Sequence, residues 1–402
     1  MRKLHVKNTV RYYLLIIFFL AALFFSNDFG STDVQKTAII VALGVDRAED
    51  TFIVTTQIAV PQSSKQESST QSVQIVSRGN TIGEALEKIN AKTGWYPKLV
   101  FCDLIILGES AKDADVFDGL DFFLRNEYLT DDCQLAVYNG KAKDLLNTSA
   151  LIDPSSSSAM KKVLSAHAER VGTVMPNTLR EFSIGYFSDS KSGYLPILKT
   201  EEQQEHVGAQ TTSTAGDSSQ GSSQGGAKSE KTDKPVFSAR ETALFVGGRW
   251  VETLTAEETF ALSAVLSPLR LATYSVHEAE NSCTLNIRRN SPKVKLETAD
   301  GNWMSLQVDL TMTAGIFDYS TSQPIDKISD AGDVPKEFFT LAEKKLASDI
   351  TRTYEKCRAA NCDVFGVRER LIKYKKRQFQ NNETAALQNT RIQVKVRFQN
   401  VR

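Results

Sequence analysis

The chain has 402 residues, with 48 Lys+Arg balanced by 48 Asp+Glu, so no basic surplus points to nucleic acid, and its length suffices for two or three domains with cores of their own. Five cysteines and four histidines are too few and too scattered for a disulfide framework or a zinc site. Four of the basic residues, Arg2, Lys3, Lys7 and Arg11, stand ahead of the first apolar run, which leaves a slight acidic excess downstream and no strong pull toward anionic lipid.

That run, YYLLIIFFLAALFF at 12–25, is the most hydrophobic stretch of the chain. As a helix it spans about 21 Å against a hydrocarbon core of roughly 30 Å, so crossing a bilayer requires local thinning or snorkelling of Arg11. The basic flank places the N-terminus in the cytoplasm and sends the rest outside. A retained anchor and a cleaved signal peptide are the two readings. Phe24, Phe25, Asn27 and Asp28 crowd the place where a small-x-small cleavage site would stand, which favours the anchor.

Residues 37–60 read as a hairpin, with TAIIVALGV, a polar turn at 46–50, and TFIVTTQIAV rich in β-branched side chains. Pro61 ends it, and a Ser/Gln-rich loop leads to a short strand, VQIV. From Thr81, Ile82, Ala85, Leu86 and Ile89 recur on one helical face. The continuous apolar run at 99–107, LVFCDLIIL, has the pattern of a buried central strand containing a buried thiol, Cys102. Helix over 116–126, strand over 133–138 and helix from Ala142 continue an alternating segment. Helices over 157–170 and 178–187 and the strand GYLPIL follow. From 201 to 234 the composition falls mostly to Gln, Ser, Thr, Gly, Glu and Lys, which cannot bury enough surface to offset ordering entropy.

Structure is expected to resume with a hairpin around Gly247 and Gly248, then a helix opened by the capping box of Thr255 and Glu258. Strands are expected at 284–289, 294–298 and 304–316. Near Pro335 begins the longest helix, whose Phe339, Ala342, Leu346, Ile350, Tyr354 and Cys357 form one apolar stripe. The last strand, RIQVKVRF, alternates strictly, with Ile392, Val394, Val396 and Phe398 inward. The expected class is α+β: two to three mixed domains after an N-terminal membrane segment. Residues 1–30 are the cytoplasmic tip and anchor or signal, 31–200 the N-terminal domain or domains, 201–235 a disordered linker and 236–402 the C-terminal domain.

No phosphate loop, dinucleotide fingerprint, nucleophile elbow or metalloprotease motif occurs, and no cofactor is implied. The Ser clusters at 155–158 and 218–223 lie in low-complexity stretches, and His167 is isolated within LSAHAER. Asp46 ends the first apolar strand, where closing the hairpin turn is its expected role. Gly79 precedes a helix, where an entry turn suffices. A bridge between Cys357 and Cys362, at the end of the long helix, is one alternative to two free thiols.

Four segments together resemble the Ger(x)C family, the C subunits of spore nutrient germinant receptors. They are TAIIVALGVD; GNTIGEALEKI followed by KLVFCDLIILGES; LDFFLRNEYLTDDCQLAVYNGKAKDLL; and a C-terminal part with ETALFVGGRWVETLT, the long helix running into NCDVFGVRE, and the alternating last strand. The resemblance implies a non-enzymatic extracytoplasmic subunit on the spore inner membrane, required for nutrient-triggered germination. It further implies integral-membrane A and B subunits as partners, and leaves direct nutrient binding open. Asp46, Glu84, Arg125, Asp363 and Gly366 fall in the family-like motifs. The family's lipid-bearing cysteine corresponds to Ser31, which cannot form the thioether, so a retained apolar helix would replace the lipid. The alternatives are an exported cell-envelope hydrolase and a general envelope assembly module.

Overall fold

The computed structural model describes residues 11–21, 37–60, 71–151, 153, 155–201, 235–278, 281–298, 303–320, 334–374 and 385–401. Residues 11–21 form a helix (α1) whose apolar side chains are exposed. No helix among the described residues is long and apolar enough to cross a membrane. Residues 22–25 of the apolar run, Ser31 and nearly all of the 201–235 linker lie outside the described residues.

The hairpin forms as β1 (Thr37–Ala48) and β2 (Thr51–Val60), joined through Glu49 at φ 53°, and β3 (Gln71–Gly79) pairs antiparallel to β2. Helix α2 (Ile82–Thr93) starts at Thr81, whose side chain accepts from the Glu84 N–H, and ends at Gly94 with φ 72°. Its buried residues are the four expected from the spacing, Ile82, Ala85, Leu86 and Ile89.

The expected strand at 99–107 is broken. Short β4 (Tyr96–Lys98) and β5 (Leu104–Leu107) both pair parallel with β1, at its start and middle respectively, and a turn from Leu99 to Asp103 bulges out between them. Cys102 is buried, but in that turn. Next come α3 (Phe117–Leu124), β6 (Gln134–Tyr138) and α4 (Ala142–Asn147). The single helix expected over 157–170 is two, α5 (Ser156–Val163) and α6 (Ala166–Val171), separated at Leu164 and Ser165. Then follow β7 (Asn177–Thr178), α7 (Leu179–Phe187), β8 (Ser192–Glu201), β9 (Val236–Val246) and β10 (Arg249–Leu254).

These strands form one sheet in the order β10-β9-β8-β6-β5-β1-β2-β3, with β4 beside β1 and β7 beside β6. Its middle is parallel and its flanks antiparallel. One face buries Leu43, Ile105 and Leu135 under α2, α3 and α7 side chains; the other buries Ala42, Leu104, Ile106 and Ala136 under α4 and α5. Residues 236–254, placed by the sequence reading in the C-terminal domain, thus complete the sheet of the N-terminal half. The division between sheets falls after β10 and not at the linker, because β8 offers β9 a long antiparallel register from Ser192 to Glu201.

Helix α8 (Ala256–Leu266), with the expected capping box, is buried nearly all round and lies between the two sheets. The second sheet has the order β11-β12-β13-β14, from β11 (Ala272–Glu278), β12 (Asn281–Thr298), β13 (Met304–Ser320) and β14 (Thr390–Asn400), and β13 and β14 run parallel. The two strands expected over 284–298 are one, running through Pro292. Pairing with β11 ends at Ile287, so beyond it, among the described residues, β12 pairs on one side with β13 alone, an edge position of the kind where proline is found. The long helix α9 (Lys336–Ala359) buries its entire expected stripe against this sheet, and α10 (Val367–Tyr374) follows.

Candidate functional site

Each of the family-like positions has a local role in the structure. Asp46 is not in the hairpin turn. It pairs with Ile53 in the ladder, is buried, and its carboxylate accepts the Ala142 N–H (2.9 Å) and the Lys143 N–H (3.4 Å) at the start of α4. Helix α4 has no side-chain cap of its own, so a strand residue 96 positions away supplies the acceptor. The neighbouring glycines make room for this. A Cβ on Gly44 would lie 2.9 Å from Ala142 Cβ, and one on Gly108 would strike the Asp46 carboxylate at 1.8 Å. Burial outweighs the two amide bonds and holds the Asp46 carboxyl above its ordinary value.

Glu84 completes the entry of α2, accepting the Asn80 N–H (2.7 Å) and pairing with Lys88 (2.6 Å). These contacts lower its pKa, the Lys88 hydrogen bond foremost. Gly79 serves the same turn, since a Cβ there would lie 2.6 Å from the Ala85 nitrogen. Arg125 is largely exposed and, among the described residues, pairs with Asp121 four positions earlier, besides donating to that residue's carbonyl.

Asp363 and Gly366 belong to a connector between the sheets. After α9, Asn361 adopts φ 54°, the Cys362 thiol donates to the Phe245 carbonyl of β9 (3.4 Å), and the Asp363 N–H donates to Ser192 Oγ of β8 (2.9 Å). The Asp363 carboxylate accepts the Val367 N–H (2.8 Å) and the Arg368 N–H (2.7 Å), capping α10. Gly366, at φ 71°, permits the turn between them. Phe365 meets Tyr354 edge to face at 5.3 Å. Cys357 and Cys362 are both free and buried; burial pushes the Cys362 thiol up to about 12, and that of Cys357 well above the ordinary thiol value. The motif NCDVFG is therefore a peg that plugs the small-sheet unit into β8 and β9.

The cleft between the two sheets is the polar cavity of this seam. About 310 Å³ in volume, it is lined among others by Arg240, Glu257, His277, Lys345 and Asp349. Buried Asp349 accepts from Arg352 (2.9 Å) and from the Tyr274 hydroxyl (3.4 Å), and desolvation raises both its carboxyl and the Tyr274 phenol. Beside it, Lys356 donates to the Thr253 carbonyl (2.7 Å) and to Glu258 (3.0 Å), the capping-box carboxylate of α8. Sequence reasoning missed this network. Its signal was a carboxylate at 349 on the otherwise apolar stripe of α9, three positions after Leu346. Arg240, Lys345, Glu257 and Asp349 together give the cleft a lining of both charge signs. Among the described residues no cluster of His, Cys, Asp and Glu could hold a metal ion.

Two family models match the chain in succession. The spore germination protein N-terminal domain matches residues 30–200, and the spore germination B3/GerAC-like C-terminal domain matches residues 240–402. The crystal structure of the GerBC protein superposes with a TM-score of 0.53 at 15% identity, covering 90% of this chain and 97% of that one, a likeness of fold. No curated protein matches the chain.

Proposed function

The chain belongs to the spore germination GerAC-like family, and from that membership we propose that it is the C subunit of a spore nutrient germinant receptor. In this reading the apolar segment at 12–25 tethers the protein, and both sheets stand on the outer side of the spore inner membrane. Integral-membrane A and B subunits are its partners, and its work is docking rather than covalent chemistry. The observation that carries the reading is the ordered match of both domain models, over 30–200 and 240–402. The use of the buried carboxylates Asp46 and Asp363 as helix caps agrees with it. Deleting the gene in a strain lacking redundant receptors should abolish germination triggered by small nutrients and leave nutrient-independent triggers intact. Unimpaired nutrient germination in that strain would refute the assignment.

A further inference from the structure

Strands β1, β4, β5 and β6 are mutually parallel, so all begin at one end of the large sheet. That end carries exposed rings. Trp95 and Tyr96 follow the α2 terminus, with Tyr96 paired to Thr37, the first residue of β1. Val100 and Phe101 cap the turn ahead of β5, and Tyr128 sits in the turn ahead of β6. Tyr96, Phe101 and Tyr128 are each more than half exposed, and Trp95 and Val100 are 37% and 45% exposed. Lys98 joins the two turns, its Nζ lying 4.8 Å from the centre of the Tyr128 ring. Soluble surfaces show single apolar side chains commonly, but exposed Trp, Tyr and Phe gathered at one sheet end, with a lysine over one of the rings, have the composition of a membrane interface.

The position of the cluster names its occupant. Twelve residue steps separate Phe25, the end of the apolar run, from Thr37, and these span at most about 40 Å. The chain therefore enters its folded body at the very sheet end that bears the rings, within reach of any bilayer that holds the run. Resting on the tether reading given above, we infer that this sheet end lies against the lipid bilayer itself, with Trp95, Tyr96, Phe101 and Tyr128 seated among the headgroups. The charge there decides the lipid. Exposed Glu127, Asp131 and Asp132 are offset there by Lys98, Arg125 and Arg180, the last bonded through its N–H to the Asp131 carbonyl, so no basic surplus draws this end to anionic lipid and a zwitterionic surface suffices. Lys98 can extend past the rings toward phosphate.

The test uses the full-length chain in phosphatidylcholine vesicles, with bromine-labelled acyl chains as quencher. Trp250→Phe with Trp303→Phe leaves Trp95 as the sole tryptophan; Trp95→Phe with Trp250→Phe leaves Trp303, which is 44% exposed on the small sheet, as the control. Trp95 should be quenched about twofold more than Trp303, and Phe101→Ser with Tyr128→Ser, both at exposed positions, should reduce that quenching. A chain that floats with the vesicles while Trp95 and Trp303 are quenched alike overturns the inference and leaves the tether standing. Failure to float overturns both. Quenching that needs anionic lipid, or protection of Trp95 that needs co-reconstituted integral-membrane partners, also overturns it.

Discussion

Strand β5 buries all four of its side chains, Leu104, Ile105, Ile106 and Leu107, whereas β14 alternates, with Arg391, Gln393, Lys395 and Arg397 exposed between inward residues. The large sheet is clad by helices on both faces, and among the described residues the small sheet is packed on one face, under α9. Two-sided burial makes every position of β5 apolar and admits a polar side chain in its neighbour β1 only where, as at Asp46, hydrogen bonds satisfy it, while one-sided burial leaves every second position free. The same difference sets where each region is vulnerable.

The largest expected effect follows from that contrast. Ile105→Ala and Ile106→Ala point to opposite faces, and each should cost about 2–5 kcal/mol in urea unfolding, because each opens a cavity in a separate core. If only one of the pair destabilised the protein, the two-sided account of β5 would fail. Next in size are the caps. Asp46→Ala leaves the amides of Ala142 and Lys143 without their acceptor and should cost about 1–3 kcal/mol, with faster hydrogen exchange at α4. Asp363→Ala should cost a similar amount but loosen α10 and the seam instead.

Asp363 also makes a pH test. Desolvation, the larger influence, raises its carboxyl above the ordinary 3.8 despite the amides of Arg368 and Val367. A raised folded-state value means that the folded protein binds the proton more tightly than the unfolded chain. Its contribution to stability therefore falls as pH rises from about 3.8 through the raised value. Stability of the native protein minus that of Asp363→Asn, measured by urea titration at a series of pH values, should decline across this window. A rising difference would reverse the assigned sign. The smallest effect is expected on the open face of β14, where Lys395→Ala should shift stability by no more than about 0.5 kcal/mol.

Elements with one wet face were the most readable. The stripe of α9 from Phe339 to Cys357, the alternation of β14 and the Thr255 capping box all appear in the structure at the residues that carried the pattern. The apolar run at 99–107 was misread because periodicity carries no information where everything is apolar. Val100 and Phe101 face outward from a turn, yet are indistinguishable in the sequence from the strand residues after them. Of the motif positions, Glu84 could be placed from spacing alone, as part of a helix entry within four residues. The role of Asp46 could not, since its amide partners lie 96 and 97 residues away.

By itself the sequence determined the apolar faces of the elements with one wet side, the starts of α2, α8 and α9, and, through four ordered segments, the family. Those are properties of neighbours along the chain, set by side-chain spacing and capping chemistry. Only the tertiary structure decided that 236–254 completes the first sheet, that Asp46 caps a helix from a strand, and that NCDVFG pegs one unit to the other. Each of these depends on which distant backbone groups are left unpaired after local structure has formed. That quantity exists only once the elements are packed.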